Sequence, residues 1–230
     1  MTMQDLHKIQ MLILRELLFH PNARFTDLNL TGLTTDHFSY HINTLIKTGL
    51  VEKKSGRYSL SQSGKKFAGL IDTDKAQIEK QAKIGALVIL EREFKGKKQY
   101  IWQKRLKEPY YGYYGFFTGK IKFGETVLEA GAREVKEETG LEAELEHKFV
   151  FHEMVYNHKG DILEDKYFNI IFAFNPKGKL TSTNEGENVW VSPEQMKTMT
   201  PIYHNELEIY DLFEKGQREF IERKYFIESF

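Results

Sequence analysis

Residues 119–141 read GKIKFGETVLEAGAREVKEETGL. The residue spacing predicts a helix through the second half of this stretch. It should end at Gly140, where a left-handed residue commonly closes a helix. On that helix Glu134, Glu137 and Glu138 stand at i, i+3 and i+4 and share one face. Ala130 and Arg133 continue the face backwards. Leu128, Ala132, Val135 and Thr139 form a second, mostly apolar stripe that is expected to pack on a core.

Like charges at this spacing oppose the helix by roughly 0.2–0.5 kcal/mol per pair. Glu137 and Glu138 also lie in the last turn, where the helix dipole disfavours anions. Local rules broken without local compensation point to a functional site. A hard divalent cation would supply the compensation, because magnesium takes oxygen ligands and is commonly held by a few carboxylates plus substrate phosphates. Glutamates alone would read as readily as a solvated helix face. The complete spacing, with its glycines and arginine, favours the metal site.

That spacing is Gly, five residues, Glu, seven residues, Arg-Glu, an aliphatic residue, any residue, Glu-Glu, any residue, Gly and an aliphatic residue. It resembles the Nudix box, the signature of the Nudix hydrolases. Every fixed position is matched, by Gly119, Glu125, Arg133, Glu134, Val135, Glu137, Glu138, Gly140 and Leu141. The resemblance implies an α/β/α sandwich around a mixed sheet. It implies Mg2+- or Mn2+-dependent hydrolysis of the pyrophosphate bond in a nucleoside diphosphate derivative, either an ADP-ribose-like compound or a nucleoside triphosphate. It further implies Glu134, Glu137, Glu138 and the carbonyl of Gly119 as metal ligands, with one glutamate a candidate base. Glu125 and Arg133 then resemble the pair that braces the loop against the helix. In several branches of the family the base lies on a later loop. Glu185 and Glu187, in NEGENVWVS, are candidates for that base or for an extra ligand, and are equally readable as loop surface charges. One departure stands out: the family often has Pro-Gly-Gly where this chain has Phe117-Thr118-Gly119.

Composition frames the rest. A chain of 230 residues can hold two small domains, and 40% hydrophobic content supports real cores. The formal net charge is zero, so no global attraction to nucleic acid or membrane is implied. There is no cysteine, which excludes disulfides, thiolate metal sites and cysteine nucleophiles. No apolar run reads as a signal peptide or a membrane span, so a cytoplasmic protein with no membrane partner is expected. The sequence leaves a homodimer open.

The first seventy residues are a different object. Leu6, Ile9, Ile13 and Leu17 recur at helical spacing, and His20-Pro21-Asn22 stops that helix. A second short helix is expected around 25–30. A third has Thr34 as its N-cap and Phe38, Ile42, Leu45 and Ile46 on its apolar face. Val51–Lys54 and Arg57–Leu60 read as a ribbon turning at Ser55-Gly56, and a last helix is expected from Ser61 toward Ile71. Three helices followed by a basic hairpin resemble a winged helix-turn-helix domain. That resemblance implies double-stranded DNA as a partner, with Asp36, Tyr40, Asn43, Thr44 and Lys47 facing a major groove and Lys53, Lys54 and Arg57 touching phosphates. Residues 1–72 carry nine basic and six acidic side chains, only mildly basic, and these positions also read as ordinary surface.

The expected fold class is therefore α+β: a winged-helix domain over 1–72, a linker or helix extension over 73–83, and a Nudix domain over 84–230 with a C-terminal helix. In the last domain Ile84–Glu91 pairs with Gln99–Arg105 as a hairpin, and the aromatic run Tyr110–Phe117 supplies core residues plus one or two rings near the ligand. Glu144–Tyr156, Lys166–Phe174 and Val189–Val191 are expected strands, Ser192-Pro193 starts a helix, and Asn205–Glu222 is expected as an amphipathic helix. The function read from the chain is a pyrophosphohydrolase. The alternative is a DNA-binding transcription regulator whose Nudix domain senses a phosphorylated nucleotide metabolite.

Overall fold

The computed structural model describes residues 6–227. The chain divides into two units, residues 1–80 and 81–230.

In the first unit α1 (Lys8–Phe19) buries Met11, Ile13, Leu14 and Leu17, and His7 caps it by accepting from the Ile9 N–H. β1 (Ala23–Arg24) and α2 (Phe25–Leu28) follow, then α3 (Thr35–Lys47), which buries Phe38, Ile42 and Leu45. Thr34 precedes α3, but its side chain makes no capping bond. β2 (Val51–Lys54), β3 (Arg57–Leu60) and α4 (Gln62–Ala68) complete the core, with strand order β1-β3-β2. Ser61 caps α4 through the Gly64 N–H.

In the segment expected as a linker or helix extension, 73–78 form part of a hairpin and 79–82 carry no regular structure. β4 (Ile71–Asp72) and β5 (Gln77–Ile78) form a small antiparallel hairpin. The Asp72 carboxylate accepts from the N–H groups of Asp74 and Lys75, so the aspartate builds its own turn. Ile71 and Ala76 are buried, which anchors the hairpin against the unit's core.

The second unit is built on one mixed sheet. β6 (Lys83–Phe94) and β7 (Lys97–Arg105) form the expected hairpin. β8 (Tyr114–Gly115) and β9 (Phe117–Lys120) lead to α5 (Val127–Thr139). β10 (Glu142–Tyr156), β11 (Ile162–Lys177), β12 (Gly186–Val191), α6 (Pro193–Met196), α7 (Glu206–Glu214) and β13 (Ile221–Phe226) follow. The order is β12-β7-β6-β11-β10-β13, with β8 on β7 and β9 on β6. β6–β11 and β10–β13 are parallel, and the other pairs are antiparallel.

The long helix expected over 205–222 ends at Glu214. Gly216 at φ +73° reverses the chain, and Ile221–Phe226 then alternates half-buried and exposed positions as an edge strand. The sequence window mixed a short helical period with a strand period.

Each face of the sheet carries its own core. Ala86, Val88, Ile171 and Ala173 pack against Val135 of α5. On the other face Trp102, Phe149 and Phe151 pack with Met196 of α6 and with Ile209 and Tyr210 of α7. Each such fully buried large side chain contributes roughly 1.5–3 kcal/mol. The buried stripe of α5 differs from the expected one: Leu128 and Ala132 are exposed, and Ala130, Gly131, Glu134, Val135 and Thr139 are buried. Gly131 explains the rotation. A Cβ there would fall 2.6 Å from the Ile171 Cδ1, so the helix approaches the sheet through its glycine.

Candidate active site

The loop from β9 to α5 and the first turn of α5 are fixed before any charge chemistry is considered. Thr126 accepts from the Glu129 N–H, and the Glu129 carboxylate accepts from the Thr126 N–H, which is a capping box. Gly140 at φ +73° closes the far end.

Arg133 organises what lies between. Its Nε and Nη2 donate to the two oxygens of Glu125 at 2.7 and 2.9 Å, a bidentate pair. Nη2 also donates to the Lys120 carbonyl at 2.9 Å, and Nη1 donates to Glu134 at 2.5 Å and Glu137 at 3.0 Å. One guanidinium thus ties the end of β9, the loop and the helix together. Arg133 and the Lys122 N–H hold the Glu125 carboxyl down to about 2. Burial pushes the Glu134 carboxyl up, against the Arg133 hydrogen bond and together with the charges of Glu137 and Glu138.

Glu134 is 6% exposed and sits directly over Gly119. A Cβ at 119 would lie 1.7 Å from the Glu134 carboxyl carbon, so only glycine admits that carboxylate. Glu138 lies beside β7, accepting from the Gln103 Nε2 at 2.9 Å. Gly119, Glu134, Glu137 and Glu138 all line a cleft of about 660 Å³. Among the described residues no three acidic or histidine side chains are already grouped around a point as a cation site. Glu134 and Glu137 are turned into Arg133, and Glu138 into Gln103. The donor set is all oxygen, which suits a hard cation completed by water and phosphate.

The same cleft carries Arg105, Lys107, Lys120 and Lys122, cations that the sequence reading did not single out. They come from β7, β9 and two loops, and only the sheet brings them beside α5. Glu185 lines the cleft and is ion-paired to Lys107. Glu187 does not line it, and stands across the ladder from Lys104. Of the aromatic run, Tyr110 and Phe116 line the cleft, Phe117 is core and Tyr111 is exposed. Phe117, at the position where the family often has proline, packs in the α5-side core.

In the first unit Asp36, Tyr40, Asn43 and Lys47 form one exposed stripe on α3. Thr44 is half-buried, and its hydroxyl donates to the Tyr40 carbonyl at 2.8 Å. Lys53 lies over the Tyr58 ring, Lys54 pairs with Glu52 at 2.8 Å, and the Arg57 Nη1 donates to the Asn22 carbonyl at 2.9 Å. The ribbon's cations are therefore exposed but partly engaged. No helix among the described residues is long and apolar enough to cross a membrane.

A mixed sheet held between α5 and the α6–α7 pair, with an acidic helix on a cation-rimmed cleft, defines an α/β/α domain. The chain belongs to the NUDIX domain family, whose model matches residues 81–213, more than half of it. Among solved structures, the NUDIX domain of Shewanella oneidensis NrtR complexed with ADP ribose is similar at 12% identity. The match covers 68% of this chain and 98% of that one, with a TM-score of 0.53. The mutator MutT protein from Bacillus halodurans is similar at 20% identity, over 64% of this chain and 93% of that one, with a TM-score of 0.54. A search of the curated proteins finds no match.

Proposed function

We propose that the second unit hydrolyses the pyrophosphate bond of a nucleoside diphosphate derivative with Mg2+ or Mn2+. The observation that carries this reading is the Gly119–Glu134 approach: a glycine without which the buried carboxylate could not sit at the cleft. Glu134, Glu137, Glu138 and the Gly119 carbonyl would hold the cation. When bound, it neutralises phosphate charge and lowers the pKa of water. Arg133 and Glu125 keep the loop and helix in register. Lys120, Lys122, Arg105 and Lys107 receive the phosphates, concentrating an anionic ligand in the cleft. Glu185 rather than Glu187 is the candidate base outside the helix, since it lines the cleft. Tyr110 and Phe116 line the cleft and give it aromatic surface for the organic part of the ligand. The NrtR domain with ADP ribose supports an ADP-ribose-like substrate, and nucleoside triphosphates are the second class to assay.

The test is a phosphate-release screen across ADP-ribose, nucleotide sugars, dinucleotides and nucleoside triphosphates with Mg2+. Glu137→Gln and Glu138→Gln are expected to lower turnover at least ~100-fold, several kcal/mol of lost stabilisation. Full activity in both variants refutes the reading.

A second function concerns the first unit, and the exposed α3 stripe beside the basic ribbon favours it. We propose that this unit is a winged helix that binds double-stranded DNA, with Tyr40, Asn43 and Lys47 in the groove and Lys53 on a phosphate. A gel shift with the chain's own upstream region, with and without nucleotide ligand, tests it. No retardation in either condition refutes it.

A further inference from the structure

An ionised Glu138 has two local reasons to swing away from the cleft. It sits in the last turn of α5, where the helix dipole repels anions, and it shares a face with Glu134 and Glu137. Something outside the acidic motif has to aim it. We infer that Gln103 is that positioning residue, acting with its cross-strand neighbours Asn188 and Gly186. The inference rests on the metal-dependent reading given above.

Gln103 and Asn188 face each other in the β7–β12 ladder, so their side chains emerge on one face. The Gln103 Nε2 donates to Glu138 Oε2 at 2.9 Å. An amide N–H donates only, so this bond holds one carboxyl oxygen of Glu138 and fixes the direction of its side chain. The Asn188 Nδ2 donates to the main-chain carbonyl of Glu138 at 2.6 Å and to that of Thr181 at 2.9 Å. The last carbonyls of a helix have no partner within it, so this bond pins the helix end to β12. Gly186 lies two residues before Asn188 on the same face. A Cβ there would fall 2.3–2.5 Å from the Cδ, Nε2 and Cγ of Gln103, so the glycine leaves the path by which the amide reaches Glu138. Thr183 closes the set. Its hydroxyl accepts from the N–H groups of Glu185 and Gly186 at 3.1 Å each and turns its hydrogen to Glu138, 3.5 Å away. The network therefore also joins Glu138 to the loop that carries Glu185.

The test uses the full chain and Mn2+ alone, titrated by electron paramagnetic resonance, with thermal melts alongside. Gln103→Met removes the donor at nearly constant shape, and Gln103→Asn withdraws it by one methylene. Each is expected to weaken Mn2+ binding ~10–100-fold, the usual scale for partners of metal ligands. Turnover should fall at low Mn2+ and recover as Mn2+ is raised. Gly186→Ala should move binding the same way. If folded Gln103→Met and Gln103→Asn bind Mn2+ within twofold of wild type while Glu138→Gln loses binding, Gln103 does not position Glu138. Turnover that stays low at saturating Mn2+ assigns the loss to a general structural defect and also overturns the inference. If wild type and Glu138→Gln bind Mn2+ alike, the metal-dependent reading itself falls and takes the inference with it.

Discussion

The substitution Gly119→Ala adds a single methyl group, and the structure says where it goes. Its Cβ would lie 1.7 Å from the Cδ, 1.8 Å from Oε1 and 2.2 Å from Oε2 of Glu134. Non-bonded carbon atoms come no closer than roughly 3.5 Å without cost, so the carboxylate has to retreat by roughly 1.5–2 Å. It cannot retreat freely, because it is 6% exposed and bonded to Arg133 at 2.5 Å. Overpacking of this kind typically costs ~1–3 kcal/mol. In a protein of this length that lowers the melting temperature by roughly 2–12 °C, at about 2–4 °C per kcal/mol. The effect on rate should be larger, since a misplacement of about 1 Å in an aligned group costs on the order of 100-fold. The assay is phosphate release at saturating substrate and 25 °C, with a thermal melt to show that the variant is folded. The expected result is a folded protein whose turnover is down at least ~100-fold. A folded Gly119→Ala variant with turnover within threefold of wild type would show that the Glu134 position does not matter, and the argument from the missing Cβ would be wrong.

Four further outcomes are expected. Glu206 is buried and accepts from the Phe116 N–H, and burial pushes its carboxyl up to about 8. A raised folded-state pKa gives stability that is present below the unfolded value near 4.5 and lost as pH rises through about 8. Glu206→Gln should therefore gain melting temperature relative to wild type between pH 5 and pH 8.5, and an unchanged difference across that range refutes the assignment. Arg133→Met leaves Glu134, Glu137 and Glu125 without their shared partner and should both lower the melting temperature and reduce turnover by more than tenfold; a variant matching wild type in both would show that the brace is dispensable. For DNA, Lys53→Ala should reduce the salt slope of the gel shift by about one and weaken binding to all sequences alike. Arg57→Ala, whose guanidinium is bonded to the Asn22 carbonyl, should chiefly lower the stability of the first unit, read by its melting transition.

Much of this protein is legible from its residues because the informative patterns are local. The spacing of Glu134, Glu137 and Glu138 with Gly140 is a property of one helix, so one window reveals it. The apolar run of β6 is equally local, and so is the Ser192-Pro193 start of α6, where the Ser192 side chain accepts from the Gln195 N–H. Windows failed where two periods met within a few residues, as at Gly216, and where a single aspartate side chain built a turn, as at Asp72. Which stripe of α5 is buried was decided by the close approach of Gly131 to Ile171, a contact across forty positions of chain.

The residues around the acidic helix depend on tertiary structure for the same reason. Gln103, Asn188 and the cleft cations belong to separate strands and loops, and no spacing along the chain relates them to Glu138. Glu185 and Glu187 are indistinguishable in sequence, two residues apart in one polar stretch. The fold turns Glu185 to the cleft beside Lys107 and Glu187 to the ladder position opposite Lys104. The chain's own order thus determines the helix, its charges and the strands that carry it. Which side chains meet those charges is decided only when the sheet closes, because hydrogen bonds and ion pairs act over a few ångströms of space whatever the separation along the backbone.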